Sequence, residues 1–206
     1  MRSTEFVRGY LSEVKRIADD ISIEAIDKVI DVLFDAWKYG KRVFICGNGG
    51  SASTATHLAC DLAKTTIVDA VQRLKVMALV DNIPLVSAWT NDNGFSSIFE
   101  EQLKPWLEEG DVIIAISVHG GSGCGDAGPW SQNLGRAIAL AKERSARAIG
   151  FSGFDGGALR ETADVCITVP IDQEPLGTPL VESYHVVVHH LICAALRQRI
   201  REKASE

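Results

Sequence analysis

His57 and Asp61 stand four residues apart in the stretch ICGNGGSASTATHLACDLAK, residues 45–64. In a helix that spacing puts both side chains on one face. An imidazole beside a carboxylate suits zinc or another transition metal, and it suits an ordinary hydrogen-bonded pair as well. Just upstream, Asn48, Gly49, Gly50 and Ser51 lie where such a helix would begin, and backbone N–H groups and hydroxyls at a helix start favour an anion. Gly47, Gly49 and Ala52 also satisfy the loose G-x-G-x-x-G/A pattern of dinucleotide loops. That reading wants an acidic residue about 20 positions on, at the end of the second strand. Asp69 has the distance but precedes that strand, and Asp81 has the strand end but is too distant. A Walker loop is excluded because no lysine follows the glycines. A phosphate cradle remains, beside a plain glycine-rich turn with Ser51 as helix N-cap.

A second loop, ISVHGGSG at 116–123, repeats the chemistry with Ser117, His119 and Ser122. Both loops need a scaffold. The short apolar runs 42–46, 75–80, 111–117, 146–152 and 164–169 are each followed by a helix-compatible segment. This alternation predicts an α/β fold, a doubly wound five-stranded parallel sheet flanked by helices. Ahead of it, Phe6, Val7, Tyr10, Leu11, Val14 and Ile17 fall at helical spacing and Ile23 to Trp37 repeats the pattern, so two N-terminal helices come first. In a flavodoxin-like 2-1-3 strand order the two Ser/Gly loops open side by side at the switch point, where ligands bind. Such a pair suits a phosphate monoester. The final segment from Leu180 is apolar almost all round its first turns, which predicts burial by more than one neighbour, a subunit interface among them.

Composition bounds the rest. The 206 residues, 46% of them apolar, suit one globular domain over 1–206. The N-terminus is charged throughout, and no stretch reads as a signal peptide or as long enough to span a bilayer, so a cytoplasmic protein is expected. A net charge of −6 without a Lys/Arg block excludes a nucleic-acid footprint. Five cysteines without a C-x-x-C pair predict buried, reduced thiols. A Gly-rich insert at 119–130 reads as a long loop over a site.

Taken together, GNGGSAS, His57 with an acidic residue four later, NDNGF at 91–95, AISVHGGS, AIGFSGFDGGAL at 148–159 and the His-rich last helix resemble SIS-domain sugar-phosphate proteins, and among them the phosphoheptose isomerases. The similarity covers nearly the whole chain. It implies a homotetramer with active sites at subunit interfaces, and a phosphate held by Ser51, Ser117, Ser122 and the backbone around Asn48, Gly49 and Gly50. It implies a divalent metal, usually zinc, between two helices, which motif by motif falls on His57, Asp61, Glu182 and His190. It also implies an aldose–ketose isomerisation through an enediol, sedoheptulose 7-phosphate to a manno-heptose 7-phosphate, with Asp61 and His190 as the acid/base pair and Glu182 as the rival base. Isomerases of octose or hexose phosphates and non-catalytic phosphosugar-binding tetramers share the same fold.

The last helix leaves a choice open. Glu182, His185 and His189 share one face, whereas His190 is offset from Glu182 by about 80 degrees; HHLIC matches the family's second histidine at His190, with His189 as rival. Departures from the family pattern are Asp61 for the usual glutamate, Glu182 for glutamine, and Val118 and His119 for Thr and Ser. Further inserts fall at 124–130 and 172–179. His119 could bond a substrate hydroxyl or phosphate, or be a loop residue held by Asp126. Asp92 could reach substrate, or belong to ordinary Asn/Asp/Gly turn chemistry.

Overall fold

The computed structural model describes residues 3–121, 131–171 and 176–206, and the backbone of 124–125 and 128–129. Ser122, Asp126 and much of both inserts lie outside the described residues. Two helices come first, α1 (Ser3–Asp20) and α2 (Ile23–Lys38), the second capped by Ser22, whose side chain accepts from the Ala25 N–H. The chain continues through β1 (Arg42–Gly47), α3 (Gly50–Lys64), β2 (Lys75–Ala78), α4 (Ile83–Asn93), a short 3-10 turn, α5 (Ile98–Leu103) and β3 (Val112–Ile116). The two-residue strands β4 (Cys124–Gly125) and β5 (Gly128–Pro129) pair with each other. Then follow α6 (Gln132–Glu143), β6 (Arg147–Gly153), α7 (Gly157–Thr162), β7 (Val165–Val169) and α8 (Gly177–Ala204).

Five strands form one parallel sheet in the order β2-β1-β3-β6-β7, the doubly wound arrangement expected from the alternating runs. Successive strand residues go to opposite faces, and both faces are covered, which is why these runs are apolar throughout rather than alternating. Val43, Ile45, Val112, Ile114, Ile149 and Phe151 pack under α2, α3 and α8. Phe44, Cys46, Ile113, Ala115 and Ala148 pack on the other side under α5 and α6. The buried Asp111 pins the start of the central strands: its carboxylate accepts from the Arg42 and Glu108 backbone N–H groups and from the Arg42 guanidinium.

Three expectations need correction. By length and composition α8 does qualify as a bilayer span, yet half of its most apolar window is buried within the protein, against the sheet and α2 and α3. It also begins at Gly177, with Pro179 in its first turn, where a missing N–H costs nothing. Among the cysteines, Cys46 and Cys193 are buried as expected, whereas Cys60 is exposed. NDNGF divides between the last turn of α4 and the 3-10 turn, with Gly94 at φ +82° making the break.

Candidate active site

The strand order places the turns after β1 and β3 next to each other, at the point where the sheet's winding reverses. Gly49, at φ +56°, is the N-cap of α3 and makes no side-chain cap bond. Ser51 is therefore the second helical residue rather than the N-cap, and it is 4% exposed. Next to it the Ser117 hydroxyl accepts from the Gly121 N–H at 3.1 Å, and Gly120, at φ +64°, lies so close to the Gly156 carbonyl that a side chain would collide with it. The Leu159 N–H also donates to the Gly120 oxygen at 2.9 Å, so α7 holds this loop in place. Between the two turns is a cavity of about 200 Å³ lined by Asn48, Ser51, Ser117, His119, Ser131 and Glu182, among others.

Glu182 reaches this cavity from the second turn of α8. Its carboxylate sits over Gly50, where any side chain would collide with it. Asn48 is held by reciprocal amide bonds with Asn133, at 3.0 and 2.9 Å, and donates to the Ser131 hydroxyl at 3.3 Å. Neither Ser131 nor Asn133 was legible in the sequence, because they lie 83 and 85 residues from Asn48 with no local pattern to mark them. His119 stacks on Phe154, ring centroids 4.4 Å apart. Asp92 is exposed at the end of α4, where its carboxylate accepts from Asn91, and it does not line the cavity.

Further along α3 and α8, which pack together, the histidines converge on one carboxylate. Asp61 Oδ2 lies 3.6 Å from His57 Nε2, 3.5 Å from His189 Nδ1 and 3.2 Å from His190 Nε2. His190 Nε2 and His57 Nε2 are 3.3 Å apart. His57 and His190 are about half exposed, while Asp61 is buried and His189 is fully so. Burial, reinforced by the neighbouring histidines, pushes the His189 imidazole down to about 4, so it is neutral with a free lone pair. Asp61 Oδ2 and both His189 ring nitrogens have no hydrogen-bond partner among the described residues. Three imidazoles and a carboxylate whose ligand atoms all lie within 4.8 Å of one another could hold a metal ion. The structure thus brings His57, Asp61 and His190 together, adds His189, and places Glu182 at the cavity between the two turns instead.

The SIS domain family matches residues 9–124. The chain is 49% identical to the lincomycin biosynthesis protein LmbN of Streptomyces lincolnensis, over 92% of this chain and 68% of that protein. It is 33% identical to the phosphoheptose isomerase of Geotalea daltonii, over 95% of this chain and 96% of the other. Phosphoheptose isomerase GmhA of Neisseria gonorrhoeae superposes with a TM-score of 0.81 at 26% identity, over 96% of this chain and all of that one. With its parallel sheet, paired Ser/Gly turns and nearly full-length relatives, the chain belongs to the SIS domain family, alongside the phosphoheptose isomerases.

Proposed function

We infer that the protein is a sugar-phosphate isomerase, and we propose that it interconverts a long-chain ketose phosphate, sedoheptulose 7-phosphate, with the corresponding aldose phosphate. The observation that carries this is the layout of α3. Ser51, at the phosphate-type cavity, and His57, in the histidine–carboxylate cluster, are six residues apart, about 9 Å along the helix axis. An open-chain sugar with phosphate at one end and carbonyl at the other suits that separation. The phosphate would sit on the α3 N-terminus with the Ser51 and Ser117 hydroxyls, where helix dipole and N–H groups favour an anion.

Aldose–ketose conversion moves a proton between C1 and C2 and needs a base, an acid and a polarised carbonyl. In this reading Asp61 takes the proton from carbon, and His190, about half exposed and 3.2 Å from it, hands a proton to the oxygen. His57 and the buried His189 flank Asp61 Oδ2 at 3.6 and 3.5 Å. A divalent metal, zinc by the chemistry of the donors, would be held by His57, Asp61 and His190 and would polarise the carbonyl as a Lewis acid. The active enzyme is proposed to be a homotetramer with active sites at subunit interfaces.

The test is NMR of the protein with C5 to C8 ketose phosphates in deuterium oxide. Deuterium entering at C1 or C2, with aldose appearing, is the expected result. No exchange with any of them, with zinc added, would overturn the isomerase reading and leave a phosphosugar-binding protein.

A further inference from the structure

We propose that Phe154 positions His119 to donate a hydrogen bond to the phosphate group of the substrate. The proposal rests on the sugar-phosphate reading above and concerns the cavity between the two turns. Phe154 holds a left-handed backbone conformation, φ +54°, in the turn that leaves β6. Gly156 and Gly157 in the same turn also have positive φ, at +89° and +51°, but without a Cβ they adopt it freely. A phenylalanine there is an outlier. Such a residue persists only where its surroundings over-determine it, and such residues cluster at binding sites. The surroundings here are His119, whose ring stacks on Phe154 with centroids 4.4 Å apart and planes at 23°, and the buried cluster that includes Val169 and Val181, against which Phe154 packs.

Backbone bonds fix both sides of His119. The Ser117 N–H donates to the Phe151 oxygen at 3.0 Å, the Gly153 N–H to the Val118 oxygen at 2.9 Å, and the Leu159 N–H to the Gly120 oxygen at 2.9 Å. The turn after β3 is thus tied to β6 and α7 on either side of His119, and the stack on Phe154 orients the imidazole. Among the described residues lining the cavity, Asn48, Ser51, Ser117 and Ser131 are neutral and Glu182 is acidic, so His119 is the one side chain that can bring positive charge. A phosphate between Ser51 and Ser117 meets the Glu182 carboxylate in the same cavity, and a charge-assisted bond from His119 offsets that repulsion. The other charged groups of the turn after β6 and of α7 beside it are engaged with backbone: the Asp155 carboxylate accepts from the Gly157 N–H, and Arg160 donates to the Asp155 carbonyl.

Calorimetry on the full-length protein, with sedoheptulose 7-phosphate and inorganic phosphate as probes, tests this. His119→Ala should weaken sedoheptulose 7-phosphate by roughly 10- to 100-fold, the range for a hydrogen bond to a charged group. Phe154→Asn removes the ring but suits the left-handed backbone. It should weaken binding by about 2- to 10-fold, on the scale of a lost aromatic pair, whereas Phe154→Tyr, which keeps the stack, should retain wild-type affinity. In the double variant the losses should not add: with His119 gone, Phe154→Asn should weaken binding no further, a result that a merely structural Phe154 would not give. Additive losses, or wild-type affinity in His119→Ala, would overturn the proposal and leave the sugar-phosphate reading intact. Should Phe154→Asn fail to fold, NMR of the wild type decides. The imidazole resonance missing from His119→Ala should shift as inorganic phosphate is added, and an unmoved resonance would overturn the proposal. A wild type that binds neither probe would overturn both the proposal and the reading on which it rests.

Discussion

Ser51, Ser117 and Ser131 line the cavity at the start of α3 together with Asn48, His119 and the Glu182 carboxylate, with no lysine or arginine among the described lining. Phosphate binding by neutral hydroxyls is a sum of modest bonds. Ser51→Ala and Ser117→Ala should each weaken binding of a sugar phosphate by roughly 0.5–3 kcal/mol, and leave the unphosphorylated sugar unaffected. Calorimetry with both ligands checks this, and equal affinities in the wild type would rule out the cradle. Asp61→Asn keeps side-chain size and one oxygen donor but removes the base. Proton exchange at C1 or C2 should then fall by about 100- to 10,000-fold, followed by NMR in deuterium oxide. Exchange at the wild-type rate would show that Asp61 is not the base. At this scale the i, i+4 pair His57/Asp61 was legible because helix geometry alone puts the two on one face. Asn133, which orients Asn48, was not, because its partner comes from the other end of a crossover.

α8 carries Glu182 at the cavity and His189 and His190 at the cluster, and His185 fixes its rotation over the sheet. Its Nε2 donates to the Ser152 carbonyl at the end of β6, at 3.0 Å, between the levels of Glu182 and His189. The ring is fully buried against Phe151, and burial pushes its pKa down to about 4. The unfolded chain binds a proton near pH 6.5 that the folded form refuses until about pH 4, so His185 erodes stability as pH falls through that window. The full loss is about 3 kcal/mol. His185→Gln keeps an N–H donor and cannot titrate, so its urea midpoint should fall less between pH 7 and pH 4.5 than that of the wild type. Parallel declines in the two proteins would place the sensitivity elsewhere. The helical period of α8 read plainly in the sequence, but which of two adjacent histidines faces α3 did not. Both do, His189 from within the packed core and His190 from its edge.

Across the whole molecule, much apolar surface stays exposed on the described helices. Phe6, Val7 and Leu11 on α1, Ile83 on α4, and Val187 and Leu191 on α8 are each about half or more exposed, and α4 buries no residue at all. Light scattering should give a tetramer. A fully active monomer at micromolar concentration would contradict this. The sequence by itself determined the alternation of strands and helices, the Ser/Gly chemistry of the two turns and the His57/Asp61 pair, because these depend on residue type and on the local period of the backbone. Only the tertiary structure decided that α8 lies along α3 so that His189 and His190 meet Asp61, and that Glu182 ends over Gly50. The physical reason is packing. A helix's own geometry sets the angle between its residues, but the surfaces it is packed against set which of them point at a partner far away in the chain.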